Sequence, residues 1–215
     1  MCGRFTQTHS NLDLAERFDL EETPDWQPRY NIAPTQLIFA IVAPHRFKFL
    51  YWGLIPSWSK DPTIGSKLIN ARAETVSEKP SFRTAFKRRR CLIAADGYYE
   101  WKKQPDKKQP FYFRLASGDI FAFAGLWEQW DSPTGDRLET CTIITTVANE
   151  LASPVHDRMP VILNQNDYDR WLDPNFKSAQ SLLHPYDAQA MTHYPVSTRV
   201  NSPGHESPDC ITQSP

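Results

Sequence analysis

The constraint that most narrows the fold is a succession of strand-length segments through the middle of the chain, with no regular alternation of helix between them. Apolar, β-branched and aromatic residues cluster at Leu37–Val42, Phe47–Trp52, Cys91–Ala95, Tyr98–Lys102, Phe111–Leu115, Ile120–Trp127 and Cys141–Val147. Asp96-Gly97, between two of these runs, is a hairpin signal, and Pro105-Asp106 and Ser117-Gly118 mark further turns. Helical patterning is peripheral. Ser10–Leu20 reads as a short amphipathic helix capped by Ser10, with Leu14, Ala15 and Phe18 on one face. Helical signals return at Asn166–Leu172 and Lys177–Leu183, and Met191–Val196 reads as a last strand. A doubly wound sheet needs strand and helix in turn. This order instead predicts an α+β fold, a single domain around a largely antiparallel, barrel-like β-sheet with peripheral helices. The domain is expected over residues 1–200, and the Ser- and Pro-rich stretch 201–215 as a disordered C-terminal tail.

Composition excludes several classes. The 215 residues are enough for one domain with a real core. No stretch approaches the roughly 18 apolar residues of a membrane span, and no basic-then-apolar signal pattern stands at the N-terminus. No membrane association and a cytoplasmic location are therefore expected. Cys2, Cys91, Cys141 and Cys210 are scattered without a C-x-x-C pair or Cys/His ligand spacing, so neither a metal nor a disulfide framework is expected. A net charge of −1 argues against indiscriminate duplex binding. The distribution is less even: eleven of the 24 Lys/Arg residues fall between Lys79 and Arg114, against Asp96, Glu100 and Asp106. Lys87-Arg88-Arg89-Arg90 is the densest run, readable as a solvated face or as a patch that attracts a polyanion.

The chain begins Met1-Cys2-Gly3-Arg4. Loss of Met1 would make Cys2 a 1,2-aminothiol, an α-amine with ordinary pKa of about 7.7–8.0 beside a thiol of about 8.5. Such a pair condenses with an aldehyde to an imine, which the thiol closes to a five-membered thiazolidine. It can also attack a carbonyl through sulfur with the amine as base.

Further segments carry more specificity than packing requires: Cys2-Gly3-Arg4-Phe5, Arg29-Tyr30-Asn31-Ile32-Ala33-Pro34, Trp52-Gly53-Leu54-Ile55-Pro56-Ser57-Trp58, Asn70-Ala71-Arg72-Ala73-Glu74-Thr75, Ala95-Asp96-Gly97-Tyr98-Tyr99-Glu100-Trp101 and His156-Asp157-Arg158-Met159-Pro160. In this order, from Cys2 to about Val200, they resemble the SRAP family, the abasic-site-processing proteins also called SOS-response-associated peptidases. The resemblance implies covalent capture of abasic sites in single-stranded DNA through a thiazolidine on Cys2. It also implies a weak lyase side activity, a place in the DNA damage response, and no cofactor or metal.

The resemblance also assigns residues. Cys2 supplies both nucleophiles. Glu100 matches the family's acidic residue, suited to protonating the sugar ring oxygen if burial raises its pKa, and otherwise a strand-edge partner for Lys102 or Lys103. His156 matches the family's histidine and suits proton transfer near neutral pH. Asn70 can orient the amine or an opened-sugar hydroxyl. Arg4, Arg72 and Arg158 are expected on phosphates flanking the lesion, with ion pairing of Arg72 and Arg158 to Glu74 and Asp157 as the competing use. Trp58, after a Gly/Pro-containing turn, is expected to be exposed and able to stack on a base, though Ser59 stands where some relatives have a second tryptophan. Asn31 and Pro34 are expected in a supporting loop.

The expected partner is single-stranded DNA containing abasic sites, bound by a monomer. Alternative readings are a thiol peptidase with Cys2 as nucleophile, acting on its own Met1 or more widely, and a non-catalytic single-stranded-DNA-binding module. A glutamine amidotransferase also begins Met-Cys-Gly, but Arg4 departs from its apolar continuation.

Overall fold

The structure, a computed structural model, describes every residue except Met1, Pro24, Asp106, Pro133 and Pro215. The expected loss of Met1 and part of the Pro105-Asp106 turn thus lie outside the described residues. The strands are β1 (Phe5–Gln7), β2 (Arg29–Ile32), β3 (Leu37–Val42), β4 (Arg46–Trp52), β5 (Asn70–Arg72), β6 (Arg90–Ala95), β7 (Gly97–Lys103), β8 (Lys108–Leu115), β9 (Phe121–Asp131), β10 (Arg137–Val147), β11 (Arg158–Pro160), β12 (Ile162–Leu163) and β13 (Met191–Pro195). The α-helices are short: α1 (Asn11–Arg17), α2 (Arg83–Arg88) and α3 (Tyr168–Leu172). Ser10 caps α1 through a reciprocal capping box with Asp13, and Leu14 and Phe18 carry its apolar face into the core.

Five strands close on themselves. β3 pairs with β4 and β6, β6 with β9, β9 with β10, and β10 returns to β4 through the parallel register Thr140↔Tyr51 and Cys141↔Trp52. This is a closed five-stranded barrel, with β5, β11 and β12 added at its margins. Within it β6 reads as a near-continuous apolar run because it is covered on both faces, and every residue of β6 is buried, whereas β4 keeps an exposed side. A second sheet, ordered β13-β8-β7-β1-β2, lies alongside.

The two sheets are joined at Asp96-Gly97, and here the structure differs from the hairpin reading. β6 pairs with β3 and β9, whereas β7 pairs with β1 and β8, so the dipeptide carries the chain from one sheet to the other. Gly97 is required by close approach, since a Cβ there would meet the Tyr112 ring at 2.2 Å. The Asp96 carboxylate accepts from the Thr6 hydroxyl, from the Thr8 backbone N–H and hydroxyl, and stands 3.0 Å from His9 Nδ1. These bonds tie the crossover to β1.

In place of the expected disordered tail, residues 201–214 pack onto the second sheet. Cys210 is fully buried beside Tyr99, Tyr112 and Val200, Val196 bridges to Gln213, and Glu206 accepts from the backbone N–H groups of Tyr30 and Asn31 and pairs with Arg29. Composition alone did not reveal this, because the partners lie some 170 positions upstream. The Lys87–Arg90 run also divides. Arg90 is buried and donates to the carbonyls of Trp171, Phe86 and Asp173, and Arg89 pairs with Glu128, which leaves Lys87 and Arg88 exposed.

Candidate active site

Cys2, Asn70, Glu100 and His156 come from four distant segments and meet where the second sheet leans on the barrel. Phe5 packs edge-on against Trp52 and Phe123, with ring centroids 5.3 and 5.8 Å apart, which seats the residues before β1 on the core. Cys2 is fully buried there. Asn70 arrives on β5, which runs parallel to β10 in the register Ile143↔Asn70, and the indole N–H of Trp52 donates to the Ile69 carbonyl at 2.8 Å to fix its approach. Asn70 Nδ2 then donates to the Cys2 carbonyl at 2.8 Å, while its Oδ1 is buried with no partner among the described residues. That oxygen is an acceptor facing a place where an amine or hydroxyl could donate.

Glu100 lies on β7 two positions beyond Tyr98, where the ladder with β1 gives way to the Tyr99 N–H bond to the Arg4 carbonyl. It is buried, with 4% of its surface exposed. Burial pushes its carboxyl above the ordinary range, with nearby positive charge, His156 included, pulling the other way. The Cys2 thiol is likewise pushed up, first by burial and then by the charge of Glu100, so sulfur rests as the thiol at neutral pH. His156 Nδ1 accepts from the Arg158 backbone N–H at 3.0 Å, which leaves Nε2 to carry the ring proton. An Asp157 oxygen stands equally close to Nδ1, but that carboxylate is 88% exposed and cannot compete with an in-place donor. Glu100 and His156 line one open cavity of about 420 Å³ with Arg4, Trp101, Lys103, Lys108 and Asn201.

The three arginines have separate fates. Arg4 is nearly buried, donates to Asn31 Oδ1 at 2.6 Å and the Val200 carbonyl at 2.7 Å, and lies over the Trp101 ring while still facing the cavity. Asn31, in β2, is thus an orienting residue for Arg4 and sits in a strand where a loop was expected, with Pro34 just beyond it. Arg158 forms a two-pronged pair with Glu74, one contact at 2.9 Å, and donates to the Thr145 carbonyl at 2.6 Å. The partner is Glu74, of the two carboxylates offered by the sequence. Arg72 is exposed at the end of β5. Trp58 is 60% exposed, on a loop stiffened by the Gly53–Gly65 contact and by the Trp130 indole donating to the Ser59 carbonyl. At Gly53 φ is +142°, and a Cβ would meet the Gly65 carbonyl oxygen at 2.7 Å.

Trp101, Lys108 and Asn201 were not assigned to the site from the sequence, and Lys103 was named only as a possible partner for Glu100. The signal was present for the lysines, as two Lys pairs flanking one short turn, but only the strand register says which of them face each other. The tail also gathers His205, Asp209 and Cys210 with ligand-type atoms within 4.8 Å of one another, a grouping the spacing did not announce. In this structure Asp209 is engaged by His205 and Arg199, which fastens the tail. Among the described residues no helix is long and apolar enough to cross a membrane.

Comparison with known proteins gives a consistent answer. The chain is 49% identical to "Abasic site processing protein YoqW" of Bacillus subtilis (strain 168), over 98% of its own length and 99% of that relative. It is 31% identical to "Abasic site processing protein HMCES" of Xenopus tropicalis, covering 98% of this chain and 78% of that one, and 30% identical to "Abasic site processing protein YedK" of Escherichia coli (strain K12), covering 98% and 99%. A crystal structure of a protein from Bacteroides thetaiotaomicron superposes with a TM-score of 0.91 at 29% identity, over 99% of this chain and all of that one. The family model described as "SOS response associated peptidase (SRAP)" matches residues 1–203, and the chain belongs to that family.

Proposed function

We propose that this protein processes abasic sites by capturing them covalently in single-stranded DNA through the aminothiol of Cys2, once Met1 has been removed. The observation that carries this reading is the convergence on Cys2, with Asn70 holding its carbonyl at 2.8 Å and an acidic group, Glu100, buried close enough to act on its thiol. In the proposed sequence the Glu100 carboxyl protonates the ring oxygen as the deoxyribose opens to its aldehyde. The Cys2 amine adds to the aldehyde carbon, and loss of water gives the imine. The thiol, kept protonated by burial, then adds across the C=N bond; sulfur bonds to carbon, its proton passes to nitrogen, and the thiazolidine closes. Protein and DNA are joined with the net loss of one water. An imine that instead eliminates the 3′ phosphate accounts for weak lyase activity. His156, with a mobile proton on Nε2, serves proton return when the ring reopens. Arg72 and Arg158 hold flanking phosphates, Arg158 by exchanging Glu74 for the phosphate, and Trp58 offers a stacking face.

The raised thiol pKa favours amine-first chemistry over a resident thiolate, which weighs against a general thiol peptidase. The test is intact-mass and denaturing-gel analysis of Met1-free protein mixed with an oligonucleotide carrying one abasic site. A lesion-dependent, heat-stable adduct of protein plus DNA minus water is expected. Cys2→Ser should yield none, while still forming an imine that borohydride traps. Equal stable adduct from Cys2→Ser would sink the mechanism.

A further inference from the structure

The cavity that Glu100 lines also reaches a pair of lysines that the chemistry above does not use. Lys103 and Lys108 are register partners across β7 and β8, joined by the short turn in which the Gln104 N–H donates to the Lys107 carbonyl. Register partners project from the same face of a sheet, so two ammonium groups stand side by side. Like charges directly opposite one another destabilise a strand pair. Several other cations are neutralised by carboxylates, as in Lys48–Glu139, Arg89–Glu128, Arg137–Asp131 and Arg158–Glu74. Lys103 and Lys108 have no such partner among the described residues, and both are exposed. Both nevertheless line the cavity that holds Glu100 and His156, together with Trp101 and the Arg4 guanidinium laid over its ring. Three residues of strand separate the Glu100 and Lys103 backbones, roughly 10 Å. Three positions also put their side chains on opposite faces of the strand, so the cavity they share wraps around the strand edge, and the lysines are placed for a phosphate beyond the reacting sugar and not for the sugar itself.

We propose that Lys103 and Lys108 form a phosphodiester subsite, a two-cation clamp that holds the single strand on the side of the lesion running out along β7. It is distinct from the Arg72 and Arg158 positions, which lie on β5 and β11. The inference rests on the DNA-capture reading of the Cys2 site. An anion between the two ammonium groups turns their mutual repulsion into a shared attraction, so the pair costs stability in the free protein and returns it on binding. Its contribution is electrostatic and sequence-independent.

The experiment compares wild type, the double variant Lys103→Gln/Lys108→Gln and the control Lys67→Gln, which is exposed and lies outside this cavity. Single-turnover capture is measured with an abasic oligonucleotide and with free 2-deoxyribose, which has the aldehyde but no phosphodiester. Equilibrium binding to an undamaged single strand is measured across a salt series. In the double variant the ratio of strand capture to 2-deoxyribose capture should fall at least about fivefold, and the slope of log affinity against log salt should shrink by about 0.7 for each lysine removed. Its melting temperature should equal or exceed that of wild type, which separates lost binding from lost folding. An unchanged ratio and salt slope, or a drop no larger than that of Lys67→Gln, would overturn the subsite. Wild-type protein that captures neither substrate would overturn the capture reading instead, and the salt slope on undamaged strand would still decide the subsite.

Discussion

Two buried carboxylates, four positions apart on one stretch of chain, are treated in opposite ways. Asp96 and Glu100 are each 4% exposed, and burial pushes both upward. At Asp96 that push is overcome by hydrogen bonds from His9, Thr6 and Thr8, and its carboxyl lies below the ordinary range. At Glu100 burial prevails over the nearby positive charge, and its carboxyl lies above. Burial depth therefore does not set the protonation state; the number of donors aimed at the carboxylate does. Asp96 is a stabilised anion that fastens the sheet crossover to β1. Glu100 keeps a raised carboxyl where it lines an open cavity. Within one β6–β7 segment, one carboxylate serves the fold and the other is the one proposed here for chemistry.

The comparison can be broken most directly at Asp96. Asp96→Ala should lower unfolding free energy in urea by roughly 3 kcal/mol, because it strands several donors at the crossover; a loss under about 1 kcal/mol would mean the network is incidental. The pH dependence has a definite sign. The stability from Asp96 is present above the unfolded carboxylate value of about 3.9 and is lost as pH falls through it toward the lower folded value. At Glu100 the largest effect should fall on rate. Glu100→Gln should slow capture by about 100-fold with affinity for intact single strands nearly unchanged. It should also remove the decline in capture as pH rises through the raised Glu100 value. A raised folded carboxyl costs stability as pH rises above the unfolded glutamate value of about 4.3, so this variant should be as stable as wild type or more so at neutral pH, the reverse of Asp96→Ala. A large affinity loss would instead make Glu100 a structural residue. His9→Gln should give the smallest change. The Asp96 hydrogen bond holds His9 above its usual value, so its contribution is full below about pH 6.5 and fades as pH rises through the folded value. His9 is partly exposed, which limits the effect to under about 1 kcal/mol, measurable as a melting-temperature difference that is larger at pH 5.5 than at pH 8.5.

Much of this architecture was legible in the chain. The strand runs at 37–42, 91–95 and 141–147 match or fall within β3, β6 and β10, because apolar β-branched and aromatic runs bounded by turn residues report burial on a sheet. Ser10 reported its capping box for the same local reason. What stayed hidden depended on distant partners. Asp96-Gly97 has the chemistry of a tight turn, but whether a turn makes a hairpin depends on which strands flank it in space, and β1 and β9 decide that from 90 positions before and 25 after. The tail at 201–214 is polar and Pro-rich, and it is ordered by Arg4, Arg29 and Asn31. Glu74 and Asp157 were both plausible partners for Arg158, and only the fold selects between them. The motif residues Cys2, Asn70, Glu100 and His156 were named from the sequence, but their convergence is a property of the barrel's junction with the second sheet.

The anchoring of Arg4 has a temporal side. Its guanidinium is held by a carbonyl 196 positions further along the chain. At about 5–20 residues per second on the ribosome, those partners follow Arg4 by roughly 10–40 s. Its other side-chain anchor, Asn31, and the aromatic contacts of Phe5 with Trp52 and Phe123 lie far earlier in the chain. The seat of the amino terminus is therefore assembled in stages, and the last part of the chain to be made completes it. A chain cut short before residue 200 would hold the Arg4 side chain through Asn31 without the Val200 carbonyl.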